Sequence, residues 1–279
     1  MICIGMGNEG ASAGHTAGTL KENTEERIPL AVQMKETAIN VQIWKSYHDI
    51  VDISLISPAG VQIGPIPEVI GTQRFVVGDT EILLYYGEPS PFHVSQEIFI
   101  EFLPKNSYIT PGIWQFVLTP RKIVTGEYDL WLPSENVLNR GTAFRYPTER
   151  GTLTIPSTSQ RVISVGAYDS LTFAYADFSG RGGLEGESKP DLVAPGVDIT
   201  APTPSGIYQT FTGTSFATPF VSGAAALMME WGIVRGNDPY LYGEKVKAYL
   251  RRGARPLPGF TEYPNPQVGY GEDVIIRLH

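Results

Sequence analysis

The sequence predicts an α/β domain built on a parallel sheet and interrupted by an all-β insertion of the jelly-roll or sandwich type. Three observations lead to this fold class. Residues 1–27 open with a short apolar run, residues 28–150 alternate apolar and polar positions, and residues 151–279 mix short strands with two helical segments. Because α/β texture lies on both sides of the strand-rich stretch, we expect that stretch to be inserted into one domain.

The run Met1–Gly7 is apolar and is closed by the turn Gly7-Asn8-Glu9-Gly10. This pattern is typical of a buried strand that ends in a tight loop. Natural domains usually begin with exposed, frayed residues, so a core strand at residue 1 predicts sheet neighbours that precede it. We therefore expect the sequence to be the C-terminal part of a longer protein.

Residues 28–150 contain five short segments in which every second residue is apolar. Each has the period of a half-buried strand, and turn signals such as Ser57-Pro58-Ala59-Gly60 separate them. This spacing is typical of an antiparallel sandwich or jelly roll. The apolar positions are Ile39, Val41 and Ile43; Val51, Ile53 and Leu55; Ile98, Ile100 and Phe102; Trp114, Phe116 and Leu118; and Tyr128, Leu130 and Leu132.

Residues 151–279 return to the α/β texture, with short predicted strands at residues 161–166 and 198–201. The stretch 220–231 is almost unbroken in its apolar character, which predicts a helix buried on most sides. A second predicted helix covers about residues 240–252 and buries one face. Its buried residues are expected to be Val246, Tyr249 and Leu250, and its surface residues Lys245, Lys247 and Arg251.

Composition excludes several classes of protein. A net charge of -8 with 18% charged residues leaves no basic face of the kind that nucleic-acid binding requires. Cys3 is the single cysteine, so no internal disulfide can form, and no Cys/His spacing of a zinc site is present. No apolar run approaches the roughly 18 residues of a membrane span. We expect a chain that binds neither nucleic acid nor membrane.

Ser215 lies where the loop residues Gly213 and Thr214 lead into the first apolar helix. Unpaired N–H groups and the positive end of the helix dipole favour an attacking oxygen and an oxyanion at such a position. Gly213 allows close backbone approach, and Ala217 keeps the first turn narrow for a substrate carbonyl. The alternative is that Thr214 or Ser215 is a plain N-cap, and position alone leaves both interpretations open.

The run Gly213-Thr214-Ser215-Phe216-Ala217-Thr218-Pro219 resembles the nucleophile motif of the subtilisin-like serine peptidases, the subtilases. The resemblance covers residues 1–18 and 151–279. The residues between resemble the β insertion of the spore-germination (Csp-type) subtilases, and residues 230–239 resemble that subgroup too. Four further segments resemble the family in the expected order: Gly7-Asn8-Glu9-Gly10, Thr154-Ile155-Pro156-Ser157, Val162-Ile163-Ser164-Val165-Gly166-Ala167 and Lys189-Pro190-Asp191-Leu192-Val193-Ala194-Pro195-Gly196.

This resemblance implies a partial subtilisin-like fold and an endopeptidase that works through an acyl-serine intermediate. It makes Ser215 the nucleophile and Asn8 the side-chain donor of the oxyanion hole, beside the backbone N–H of Ser215. The alternative for Asn8 is an ordinary turn asparagine. The implied substrate-binding residues are Gly7, Ile155, Pro156 and Thr214.

One departure from the family is decisive for the expected activity. Subtilases carry the triad aspartate and histidine before the oxyanion asparagine, which is residue 8 in this sequence, so neither is expected in this chain. His15 echoes the family's histidine motif but follows Asn8, and we expect it to be a decoy. Surface or packing roles are expected for His48, His93 and His279. The resemblance gives Asp191 a structural role, and Asp169, Asp177 and Asp198 have no local histidine partner with which to act as a triad.

A serine hydroxyl without its base is a poor nucleophile, so the chain alone is expected to be nearly inactive. An N-terminal segment or a separate chain would have to supply the aspartate and histidine. Two other classes stay open, a pseudoprotease regulator and a β-sandwich binding module. Aromatic residues of the insertion could line a carbohydrate or protein groove, although their alternation favours core packing. These residues are Trp44, Tyr47, Tyr85, Tyr86 and Trp114.

The resemblance requires no cofactor. Subtilases often carry structural Ca²⁺, to which Asp177 or Glu185 could contribute oxygens, but no EF-hand-type loop is present and no metal ligand is assigned. The implied partner is a protein or peptide substrate, and the insertion is expected to act as a clasp on the protease domain. By resemblance alone, the location is expected to be spore-associated or exported.

Overall fold

The computed structural model describes residues 1–69, 71–88, 90–183 and 189–273. The chain divides into unit 1, which comprises Met1–Ala11 and Glu149–His279, and unit 2, which comprises Ser12–Thr148. The first boundary lies earlier than the predicted end of the first segment at residue 27, because the strand His15–Thr19 pairs with the strand Glu127–Trp131 of unit 2. The second boundary lies within two residues of the predicted one.

Short strands dominate the described residues. In chain order they are β1 (Cys3–Gly5), β2 (His15–Thr19), β3 (Glu26–Val32), β4 (Ile39–Ser46), β5 (Ile50–Ile56), β6 (Gln62–Ile66), β7 (Thr72–Val77), β8 (Thr80–Tyr86), β9 (Ser95–Pro104), β10 (Gly112–Lys122), β11 (Glu127–Trp131), β12 (Ala143–Phe144), β13 (Ile163–Asp169), β14 (Ala174–Tyr175), β15 (Leu192–Pro195), β16 (Ile199–Pro202) and β17 (Tyr208–Phe211). The helices are α1 (Thr214–Met229) and α2 (Glu244–Gly253), with a 3₁₀ turn at Glu135–Val137 and a π-helical turn at Glu230–Val234.

Unit 2 consists of two antiparallel sheets that share one hydrophobic core. The five-stranded sheet has the order β12-β3-β10-β5-β6, and the six-stranded sheet has the order β2-β11-β4-β9-β8-β7. Phe102 meets Trp114 and Phe116 edge to face at 5.1 and 6.2 Å between ring centroids. The indole N–H of Trp114 donates to the carbonyl of Thr110 at 2.9 Å, so this large side chain is buried with its polar atom satisfied.

The five predicted alternating segments lie on β4, β5, β9, β10 and β11, so these strand predictions are confirmed. Strand β8 was not predicted because its outward side chains Leu83 and Tyr85 are apolar as well, which hides the period of two. Core packing is confirmed for Trp114 and Tyr86, whereas Trp44 is half-buried and Tyr85 is 39% exposed.

Unit 1 is built on the parallel strands β1, β13 and β15, with the short β14 antiparallel to β13 and a hairpin of β16 and β17. Helix α1 packs on these parallel strands, and its small residues allow a close approach. Predicted strands at 161–166 and 198–201 correspond to β13 and β16. The buried residues of α1 are Thr214, Ala217, Val221, Ala224 and Ala225.

The prediction that α1 is buried on most sides is wrong within unit 1. Elements of unit 1 cover one face of the helix only, and Leu227 and Trp231 on other faces are 57% and 54% exposed. Together with the π-helical turn, the segment Thr214–Val234 is long and apolar enough to cross a membrane by length and composition alone. The expectation that no segment reaches such a length was therefore wrong. Ser, Thr and Gly residues interrupt the apolar run of this segment, but they do not end the helix.

Helix α2 begins at Glu244, four residues after the predicted start, because the preceding residues form a turn. In this turn the N–H of Leu241 donates to the carbonyl of Asp238, and the N–H of Tyr242 donates to the carbonyl of Tyr240. Val246 and Leu250 are buried as predicted. Two other expectations for this helix are wrong, since Tyr249 is 48% exposed and Lys247 is buried.

In unit 2, the carboxylate of Asp49 caps the loop between β10 and β11. It accepts backbone N–H groups from Val124, Thr125 and Gly126 at 2.6, 3.0 and 2.8 Å. Burial raises the pKa of Asp49. The three N–H donors and the nearby charge of Lys45 lower it by more than burial raises it, so the pKa lies below its ordinary value. The ionised form of this side chain therefore stabilises the folded unit.

We predict that Asp49→Ala lowers the free energy of unfolding of unit 2 by about 2–4 kcal/mol, because three N–H groups lose their acceptor. The matched control is Asp52→Ala, which removes an exposed pair with Arg121 and should cost less than about 1 kcal/mol. Because the folded pKa of Asp49 is depressed, its contribution is present above the unfolded pKa of about 3.9 and is lost as the pH falls through the folded pKa. Urea unfolding with hydrogen exchange of β10 checks both effects, and equal losses in the two variants would refute the assignment.

Candidate active site

The loop after β1 is fixed by backbone hydrogen bonds from two other segments of unit 1. The N–H of Thr154 donates to the carbonyl of Met6 at 3.1 Å, and the N–H of Gly180 donates to the carbonyl of Gly7 at 3.0 Å. Further on, the N–H of Gly10 donates to Phe178 at 2.9 Å. The residues around Asn8 therefore belong to an ordered loop, although the side chain of Asn8 is exposed.

Thr214 sets the direction of the Asn8 amide. The Oδ1 atom of Asn8 accepts the backbone N–H of Thr214 at 3.0 Å and its hydroxyl at 3.2 Å. The Thr214 hydroxyl in turn accepts the N–H of Gly7 at 3.3 Å. Because Oδ1 accepts two hydrogen bonds from Thr214, the amide is held in one orientation. Among the described residues its Nδ2 group has no hydrogen-bond partner. An oriented and unused N–H donor is what an oxyanion hole needs.

Ser215 is the second residue of α1 and its side chain is exposed. At this position its backbone N–H has no carbonyl partner within the helix, so the N–H and the positive end of the helix dipole are available to a negative charge. The N-cap residue is Gly213, with no side-chain capping bond. The alternative interpretation of Thr214 or Ser215 as a plain N-cap is therefore wrong.

The turn before Ser215 depends on two glycines. Gly213 has φ +150°, and a Cβ atom there would lie 3.2 Å from Nδ2 of Asn8. Its N–H donates to the carbonyl of Gly196 at 2.8 Å, and a Cβ atom on Gly196 would lie 2.6 Å from the Cβ of Ala167. Ala217 is fully buried against this turn, so its small size serves packing, and its predicted role in the approach of a substrate carbonyl stays a prediction.

The predicted substrate-binding residues fall into two groups. Ile155 is 87% exposed, and Pro156 and Gly7 also reach the surface, so these three are accessible to a ligand. Thr214 is 2% exposed, and its polar atoms are engaged by Asn8 and Gly7. The structure thus gives Thr214 a positioning contact with the loop that carries Gly7 and Asn8.

Sequence reasoning missed an aromatic pair next to Ser215. The rings of Phe211 and Phe216 are stacked at 4.9 Å with 12° between their planes. Phe211 ends β17 and Phe216 directly follows Ser215, so the pair ties the hairpin to the start of α1. The signal in the sequence was the presence of a phenylalanine on either side of the Gly-Thr-Ser run.

Asp191 lies at the centre of a buried charged cluster, in agreement with the structural role expected of it. Its carboxylate accepts the N–H and hydroxyl of Ser164 at 2.7 and 3.0 Å and the Nε of Arg251 at 2.6 Å. The Nζ atoms of Lys189 and Lys247 lie 3.5 and 3.4 Å from it. Burial lowers the pKa of Lys189, and the Asp191 charge opposes that effect. This cluster joins β13, β15 and α2.

The other predicted residues lie apart from this centre. In unit 2, His15 is 2% exposed, its Nε2 lies 2.8 Å from Asp129, and its ring stacks on Trp131 at 4.6 Å. Hydrogen bonds from Leu171 and Thr172 lower the pKa of Asp169. The remaining positions are His48 and His93, exposed in unit 2; Asp177 and Asp198 in unit 1; and His279 and Glu185, which lie outside the described residues. Within the described ranges no group of three or more His, Cys, Asp or Glu side chains is arranged to hold a metal.

Comparison with known proteins agrees with this geometry. Residues 146–271 match the model of the subtilase family, peptidase S8. The chain is 38% identical over 105 residues to an intracellular serine protease of Paenibacillus polymyxa, covering 36% of this chain and 30% of the relative. It is 35% identical over 123 residues to the serine protease AprX of Bacillus subtilis, covering 37% of this chain and 26% of the relative. Residues 146–271 of the chain therefore belong to the subtilase family of serine peptidases.

A solved structure extends the likeness across both units. The CspB protease of Clostridium perfringens matches with a TM-score of 0.90 and 39% identity, over 98% of this chain and 57% of that chain. The chain is thus similar to a Csp-type subtilase over nearly all its length. It spans less than a third of the two curated relatives, 30% and 26%, and little more than half of the solved protease.

We predict that Asp191→Ala destabilises unit 1 by about 3–5 kcal/mol, because the buried Lys189 and Lys247 and the partly buried Arg251 lose their shared carboxylate. Asp177→Ala removes an exposed carboxylate of the same unit and should change stability by less than about 0.5 kcal/mol. Amide hydrogen exchange separates unit 1 from unit 2 and checks the prediction. Equal protection of β13 and β15 in both variants would show that the cluster does not hold the sheet and helix together.

Proposed function

We propose that this chain carries the nucleophile and the oxyanion hole of a serine endopeptidase, whose histidine and aspartate come from another segment or chain. The observation that carries the proposal is the contact of Asn8 with Thr214, which aims an amide donor beside the exposed Ser215 at a helix start. The family membership supplies the reaction class, and a protein or peptide is the substrate class that it implies.

In the proposed reaction, Oγ of Ser215 attacks the carbonyl carbon of the scissile peptide bond while the supplied histidine accepts its proton. The carbonyl oxygen becomes an oxyanion and accepts hydrogen bonds from the N–H of Ser215 and Nδ2 of Asn8. The C–N bond then breaks, and the histidine returns the proton to the leaving amine. Water then attacks the acyl-serine carbonyl while the histidine accepts its proton, and the bond to Oγ breaks as the histidine returns that proton to Ser215 and the carboxylic acid product leaves.

The chain alone is proposed to be nearly inactive. His15 is 2% exposed and held by Asp129, and the family resemblance assigns the base to a position before Asn8 in the chain, which no histidine of this sequence occupies. Without a base near neutral pH, the serine hydroxyl stays protonated and is a weak nucleophile. The oxyanion donors alone can contribute only a modest rate.

Two features of unit 1 support an additional segment that packs against this unit and supplies the triad aspartate and histidine. Within the described residues β1 pairs only with β13, so one edge of a parallel sheet is open. Beside α1, exposed apolar residues including Leu227, Trp231 and Tyr249 line a cavity of about 400 Å³. The matched parts make up only 26–57% of these relatives, which is consistent with such a segment.

We extend the proposal to the remaining features of the protein. Unit 2 is proposed to be a jelly-roll clasp on the protease domain, as the likeness to the Csp-type protease suggests. A spore-associated or exported location is proposed on the same ground. The proposed enzyme needs no cofactor and engages neither nucleic acid nor membrane, and a structural Ca²⁺ stays unassigned.

A second candidate function is a non-catalytic regulator or binding module. The specific observation in its favour is that no exposed histidine of unit 1 lies among the described residues. Such a protein would bind peptides through Ile155, Pro156 and the oxyanion loop without cleaving them. Binding of a peptide without acylation of Ser215, after every candidate segment has been supplied, would favour this function.

We predict that the 279-residue chain gains peptidase activity when a segment that carries the subtilase aspartate and histidine is added in trans. Ser215→Ala should abolish this activity, and Asn8→Ala should lower kcat by about 100- to 1000-fold, the range established for oxyanion-hole donors in subtilisin. Hydrolysis of a fluorogenic peptide is the measurement. Activity that survives in Ser215→Ala would rule out the nucleophile assignment.

Thr214 provides a sharper test of the geometry. Thr214→Val keeps the shape but removes the hydroxyl that holds Asn8, so kcat should fall by about tenfold with little change in KM. Thr214→Ser keeps the hydroxyl and should retain most of the activity. Unchanged activity in Thr214→Val, with a loss confined to Thr214→Ser, would show that the methyl group, and not the hydrogen bond to Asn8, is what matters.

A further inference from the structure

The outward surface of the six-stranded sheet in unit 2 combines aromatic rings with carboxylates. We call six of the outward residues of β4, β9 and β8 the outer face, namely Gln42, Trp44, Glu97, Phe99, Glu101 and Tyr85. Their neighbours Ile43, Ile98 and Ile100 on the same strands are buried, whereas the outer-face residues are half-buried or, for Tyr85, exposed. The alternation shows that the face lies on the side of the sheet away from its core.

The register places unlike residues beside one another across the strands. Trp44 is paired with Glu97, and Phe99 is paired with both Gln42 and Tyr85. Glu101 lies next along β9. Directly paired side chains on one face lie about 4.5–5.5 Å apart at Cβ, so the carboxylate of Glu97 has the ring of Trp44 within reach. Glu101 is paired with Asn40 and Leu83, and the aromatic residue beside it is Phe99, two positions earlier on β9.

The charge of the outer face is uncompensated. Neither Glu97 nor Glu101 forms an ion pair among the described residues. Arg74 on the neighbouring β7 pairs with Glu81 and is therefore already neutralised. Tyr47 lies beside the C-terminal end of β8, where its hydroxyl donates to the carbonyl of Gly87. Burial raises the pKa of Tyr47, and the negative charges of Glu68 and Glu88 raise it further, so the electrostatic potential is negative at this end of the strand as well.

We propose that the outer face binds an extended peptide with basic residues at alternate positions. Carboxylates beside aromatic rings fit guanidinium and ammonium groups, which make ion pairs and stack over the ring faces. Glu97, Phe99 and Glu101 repeat at about 6.8 Å along β9, the interval at which any extended peptide presents its own alternate side chains. A peptide laid along β9 therefore meets carboxylate, ring and carboxylate in step with its basic residues.

This proposal is independent of the peptidase proposal, since it concerns residues of unit 2 only. The experiment titrates the full chain into a dye-labelled peptide that alternates arginine and serine and follows its fluorescence anisotropy. A peptide of the same composition with its arginines in one block is the spacing control, and cellohexaose is the neutral carbohydrate competitor. We expect the alternating peptide to bind more tightly than the block peptide, to lose affinity at high salt, and to resist competition by the sugar.

Four variants test the assignment to this face. Glu97→Gln and Trp44→Ala should each raise Kd about fivefold, whereas Trp44→Phe retains a ring and should retain most of the affinity. Glu262→Gln makes the same charge change on an exposed loop of unit 1 and should leave Kd unchanged. Absence of binding, unchanged Kd in Glu97→Gln and Trp44→Ala, or displacement of the peptide by cellohexaose would overturn the proposal.

Discussion

The hydrogen bonds between Asn8 and Thr214 organise the candidate site. These residues are 206 positions apart in the sequence, and all of unit 2 lies between them along the chain. Because Oδ1 of Asn8 is held by the N–H and hydroxyl of Thr214, the position of the amide donor is tied to the first turn of the helix that carries Ser215. The proposed oxyanion donor and the proposed nucleophile are thus held in one fixed arrangement, and preorganisation of this kind is usually the largest source of catalytic stabilisation in acyl transfer.

The positions of Asn8 and Ser215 depend on the packing of unit 1 and on its buried charges. The parallel strands β1, β13 and β15 carry α1, whose alanines 217, 224 and 225 permit a short distance between helix and sheet. Behind them, the carboxylate of Asp191 joins Ser164 on β13 to Arg251 on α2. A carboxylate in so buried a place stabilises the fold only because three cations and two hydrogen-bond donors compensate for its lost hydration.

The sequence predicted these parts unequally. The strands with clean alternation, such as β4 and β9, and the helix start at Ser215 could be predicted because local period and the glycine turn determine them. Strand β8 could not, since both of its faces are apolar, and the burial of Lys247 could not, since it depends on the carbonyls of Gln160 and Val162 some 85 residues away in the chain. Likewise, no local pattern reveals that Thr214 holds Asn8, because that contact exists only after the sheet and helix have packed.

The most direct test of this account is the reaction of the purified chain with a fluorophosphonate, followed by intact mass and peptide mapping. The account predicts that Ser215 stays unlabelled in the 30.5 kDa chain alone, and that in the source organism the labelled Ser215 peptide comes from a heavier species or from a complex. Labelling of Ser215 in the isolated chain at a rate comparable to that of an intact serine peptidase would contradict it, because the histidine would then be present within these 279 residues.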